Sequence, residues 1–84
     1  MPEEVIGEIS DFFARPVVAG IELTATLKLG DKIHIKGHTT DLEFIADSMQ
    51  INNVDVKQAK AGDSVGVKVS ERVRRGDTVY KVID

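Results

Sequence analysis

LKLGDKIHIKGHTTD, residues 27–41, holds two chemistries in alternation. Ile33 and Ile35 take every second position, with Lys32, His34 and Lys36 between them. That period of two is the pattern of a strand with one dry face and one wet face. Gly30 and Asp31 stand in front of the alternation, and Gly37 follows it. Glycine supplies the positive φ of a tight turn, and an aspartate carboxylate accepts backbone N–H groups where a strand begins. The stretch therefore predicts a turn feeding a strand, with both isoleucines facing inward.

The same grammar extends along the chain. In VVAGIEL (17–23), Val17, Ala19, Ile21 and Leu23 face a core while Gly20 and Glu22 face out. In SVGVKVS (64–70) the inward set is Val65, Val67 and Val69. VIGEISDFF (5–13) and TVYKVI (78–83) read as first and last strands, and Pro16 begins the second, where its missing N–H does least harm. LGDKI, AGDSV and RGDTV each place Gly-Asp before a β-branched run, at unequal spacings of 32 and 14 residues, so they share turn chemistry without marking a duplication. The Arg75-Gly76-Asp77 tripeptide is one of these turns and is not read as an adhesion motif. Residues 41–56 allow a helix on the spacing of Phe44, Ser48 and Ile51 and a strand on that of Ile45, Met49 and Ile51, with Asp47 as the exception. The strand is preferred, and 56–62 are then read as one helical turn stopped by Gly62. The expected fold is all-β: six short strands closed into a small Greek-key-like barrel, which leaves no edges exposed.

With 84 residues, 42% hydrophobic and 30% charged, residues 1–84 form one domain. The chain has no cysteine, which removes disulfides, thiolate catalysis and cysteine-held zinc. The N-terminal stretch carries acids where a secretory leader carries bases, and no apolar run approaches the ~18 residues of a membrane helix. A cytoplasmic protein with no membrane partner is the expectation. The net charge is −3, but it is unevenly spread. Residues 57–75 hold six bases against two acids and 28–38 hold three lysines against one aspartate, with acidic stretches around both. Two basic blocks form a patch only if the fold joins them.

The string LKLGDKIHIKG, then SMQINNVDVKQAKAGDSVGVKV, then VRRGDTVYKV resembles the second domain of translational GTPases, the β-barrel that follows the nucleotide domain in elongation factor Tu. The likeness runs from about Ile6 to Val82 and rests on the order of its turns and strands. Single-domain elongation-factor-Tu-like proteins match this layout, and a similar barrel ends some peptidase-like proteins. The resemblance implies a binding module associated with RNA, the ribosome or translation. It does not imply GTP hydrolysis, because the Gly-Lys-Ser/Thr phosphate loop is absent and no nucleotide is expected. The alternative is a protein-interaction module that docks onto a separate enzyme or GTPase.

Catalysis is not expected. Ser10, Ser48, Ser64 and Ser70 lack a nucleophile's surroundings, and the carboxylates are scattered. His34 and His38 lie four residues apart, about 13 Å along a strand, too far to share a metal unless Gly37 turns the chain back and brings Asp41 in. Neither metal nor cofactor is expected. The candidate nucleic-acid face is Lys32, His34 and Lys36 on one strand with Arg72, Arg74 and Arg75 before the last, guanidinium groups being suited to phosphates. Phe12, Phe13 and Phe44 are assigned to the core, and Tyr80 is the aromatic whose exposure carries information.

Overall fold

The computed structural model describes residues 2–14 and 17–83. Pro16, assigned above to a strand start, lies outside them. Among the described residues every regular element is a strand: β1 (Glu3–Ala14), β2 (Val17–Leu23), β3 (Leu27–Lys28), β4 (Lys32–Lys36), β5 (Asp41–Ile45), β6 (Met49–Ile51), β7 (Val54–Asp55), β8 (Gln58–Ala59), β9 (Ser64–Lys68) and β10 (Thr78–Val82). Six of these have five residues or more, and the other four have two or three.

Eight strands form one antiparallel sheet in the order β5-β4-β10-β1-β2-β9-β6-β7, and β3 pairs with β8 separately. The closed barrel is not seen in the ladders: among the described residues β5 and β7 remain edges. The sheet nevertheless curls, since Phe44 and Ile45 of β5 line a cleft with Lys68 and Val69 at the end of β9. Part of that curl comes from β1. Its register shifts between Val5 and Gly7 against β10, and again between Ile9 and Asp11 against β2. Each irregularity bends the strand and increases its twist.

The three Gly-Asp turns share one geometry. Gly30, Gly62 and Gly76 have φ of +92°, +95° and +88°. Asp31, Asp63 and Asp77 each donate a backbone N–H to the carbonyl three residues earlier, at 3.0–3.1 Å. Each also accepts, through its carboxylate, the N–H of that same earlier residue at 2.9–3.0 Å. Two opposed hydrogen bonds clamp every turn, and Asp77 is buried in this role, which leaves the Arg-Gly-Asp tripeptide structural.

The core is aliphatic. Ile6, Ile21, Leu27, Ile33, Ile35 and Val67 are fully enclosed, each worth about 1.5–3 kcal/mol relative to an exposed side chain. The phenylalanine assignment is corrected: Phe12 and Phe44 pack only at the margin, and Phe13 is 53% exposed. Residues 56–62 contain no helical turn. Gln58 and Ala59 pair with Lys28 and Leu27 instead, because Ala59 completes the core over Leu27. Residues 41–56 are not one strand: the chain leaves β5 after Ile45, which is exposed, and begins β6 at Met49, which is buried. It turns again at Ile51-Asn52-Asn53-Val54, a two-residue hairpin loop in which both asparagines have positive φ, 52° and 65°. Asparagine tolerates that region better than other side chains, which suits it to such a turn.

Candidate functional site

Pairing across the sheet decides where the sequence candidates go. His34 stands opposite Glu43 on β5 and Tyr80 on β10, and Lys36 stands opposite Asp41 and Thr78. Lys32, His34 and Lys36 therefore do share the outer face of β4, as their alternation requires. That face is not a free basic patch. Lys32 Nζ lies 3.6 Å from Glu43, and Lys36 Nζ lies 3.4 Å from Glu3 and 5.5 Å from the Tyr80 ring centre.

His34 is the most enclosed of the six, 8% exposed although it is on the outer face. Its Nδ1 is 2.5 Å from Glu3 Oε2 and 3.6 Å from Glu43 Oε1, and its Nε2 is 2.5 Å from Asp41 Oδ1. Burial disfavours the imidazolium, but hydrogen bonds to Asp41 and Glu3 outweigh it and raise the His34 pKa above its ordinary value. The same contact with His34, then that with Lys36, lowers the Glu3 pKa against the opposing effect of burial. Gly37 does turn the chain back, through its N–H to Thr40 O, which brings Asp41 beside β4. His38 remains exposed in that turn. Glu3, 31 residues from His34, was not foreseen, since no local spacing announces a partner from the first strand.

The arginine loop reaches the end of β4 through Thr78, which pairs with Lys36, and through Asp77, whose carboxylate packs against Gly37. Two of its side chains, those of Arg72 and Arg75, turn elsewhere. Arg72 lies 5.8 Å from the centre of the Phe12 ring, and Arg75 reaches Asp11 at 3.6 Å. The two basic segments thus point to different ends of β1, each facing carboxylates.

A third feature arises from paired glycines. Asp11, Gly20, Gly66 and Gln50 stand opposite one another across β1, β2, β9 and β6. With no side chain at the two middle positions, the outer face sinks into a groove of about 610 Å³. Phe13 and Val18 line it together with the Asn52-Asn53 turn, so it offers apolar surface beside hydrogen-bonding amides.

Comparison with known proteins corrects the resemblance drawn from the sequence. No protein-family model matches the chain. It is 50% identical over 76 residues, 89% of its length, to an uncharacterized protease of Methanocaldococcus jannaschii, of which it spans 19%. Its fold matches the C-terminal domain of a Geobacillus thermoleovorans protein assigned to the U32 peptidases, with a TM-score of 0.88 at 13% identity, covering 95% of this chain and 93% of that one. The selenomethionine form of that domain matches with a TM-score of 0.85, covering 90% and 96%. The elongation-factor assignment and the RNA, ribosome and translation role are overturned by these relatives. What the sequence shared with elongation factors was turn chemistry, Gly-Asp before a strand, which any small curled sheet can use. These two solved structures are of a C-terminal domain, and the curated relative is a protease about five times the length of this chain.

Proposed function

We propose that this chain is a non-catalytic accessory domain that docks onto the body of a U32-type peptidase. The observation that carries the reading is the 50% identity to about a fifth of a protease chain. A domain inherited within a longer enzyme has a partner of defined chemistry, the enzyme's remaining surface. The groove supplies a surface for it: Phe13 gives an exposed aromatic anchor of the kind that dominates interfaces, and the neighbouring asparagines give a polar rim.

The test uses the Methanocaldococcus jannaschii relative with its matching fifth removed. Added in trans, this chain is expected to bind that truncated body and to stay bound as salt is raised. Phe13→Asp is expected to weaken binding by roughly tenfold or more, while exchanging Arg72, Arg74 and Arg75 for glutamate leaves it intact. Failure of the unaltered chain to bind, or loss of binding only in the arginine variant, overturns the proposal.

A further inference from the structure

Glu3, His34 and Glu43 come from three strands, β1, β4 and β5, and their ligand atoms lie within 4.8 Å of one another. Asp41 accepts a hydrogen bond from His34 Nε2 on the opposite side of the ring. In a neutral imidazole that bond puts the proton on Nε2 and leaves the Nδ1 lone pair directed at Glu3 Oε2 and Glu43 Oε1. Three electron-rich atoms then converge within 4.8 Å of one another, where a cation can replace the Nδ1 proton of the imidazolium. A proton satisfies only the short Nδ1–Glu3 contact. A divalent cation satisfies all three.

We propose that Glu3, His34 and Glu43 bind a divalent first-row transition cation of the zinc type, with Asp41 as the outer partner of His34. Four observations support this, independently of the docking reading. A histidine that ligates through one nitrogen and donates from the other to a carboxylate is the arrangement that fixes metal-binding imidazoles. Bonds of about 2.0–2.2 Å in a tetrahedron place ligand atoms about 3.4 Å apart; the Glu43 contact at 3.6 Å already fits, and Glu3 need only swing outward. Each glutamate gives its second oxygen to a lysine, Glu3 Oε1 to Lys36 and Glu43 Oε2 to Lys32, which offsets excess negative charge and leaves one oxygen for the metal. The Glu43 side chain is 47% exposed whereas that of His34 is 10% exposed, so a cation from solvent reaches an enclosed imidazole past a carboxylate at the surface. One imidazole with two carboxylates suits zinc, manganese or iron better than magnesium or calcium, which prefer all-oxygen shells.

Zinc chloride is titrated into the whole chain by calorimetry, and ¹⁵N NMR follows the histidine rings. One equivalent is expected to bind, raising the melting temperature and moving the Nδ1 resonance of His34 but not of His38. Glu43→Gln, at an exposed position that leaves the fold intact, is expected to weaken uptake roughly tenfold or more. His34→Gln removes uptake. No binding at millimolar zinc, binding undiminished in Glu43→Gln, or a response centred on His38 overturns the proposal.

Discussion

Asp63 and Gly62 show how much a single turn asks of two side chains. The glycine sits at φ +95° with nothing within 4 Å of where a Cβ would stand, so its cost on substitution is purely conformational. Gly62→Ala is expected to destabilise the fold by about 1–2 kcal/mol, the cost of a left-handed alanine, with no change in contacts. Asp63→Ala, which removes the acceptor for Lys60 N–H, is expected to cost about 0.5–1.5 kcal/mol. Urea unfolding of both variants checks this; a neutral Gly62→Ala would show that the turn adopts another backbone shape. These turns were legible because Gly-Asp has one local meaning wherever it occurs. The His34 cluster was legible only in half. Alternation placed His34 between Lys32 and Lys36 on one face, but Glu3 and Glu43 meet it through pairings that no local pattern encodes.

Among the elements, β1 departs furthest from simple alternation. Ile6 and Ile9 are both buried, three residues apart, while Val5 is 52% exposed. The register shifts on either side of Gly7 change the phase of the pleat, so an apolar residue at an outward position is compatible with the fold. The interior of β4 and β9, by contrast, could be read directly, because Ile33, Ile35, Val65 and Val67 lie in ladders without irregularities. Gly7 lets β1 and β2 approach closely: a Cβ there would lie 2.6 Å from the Glu22 carbonyl oxygen and 3.0 Å from Ile21 Cγ2. Gly7→Ala is therefore expected to cost about 1–3 kcal/mol through a forced backbone shift. Gly66→Ala, whose nearest contact is the movable Val18 side chain at 3.3 Å, is expected to cost less. Chemical denaturation of the pair checks the order, and equal losses would contradict the close approach at Gly7.

For the whole molecule, β10 is the strand on which assembly depends. It is the last strand in the chain, yet it lies between β4 and β1 and joins the β5-β4 hairpin to the rest of the sheet. Pairing Glu3 with Val82 closes nearly the entire chain, so folding is expected on the millisecond-to-second scale of non-local β proteins. A chain ending before Thr78 is expected to lose cooperative unfolding, as monitored by circular dichroism and amide dispersion in NMR. Retention of a two-state transition would show that β4 and β5 find another partner.

The same pairing brings Pro2 and Ile83 together, with Ile83 N–H donating to Pro2 O at 2.8 Å. A longer polypeptide would enter and leave this domain at nearly one point, as a plug-in cartridge held by two adjacent leads. Phe13 and the groove lie toward the other end of β1. Inserting or removing the cartridge would leave the path of the flanking chain unchanged, and in the docking arrangement proposed above the groove would meet its partner on the side away from the leads.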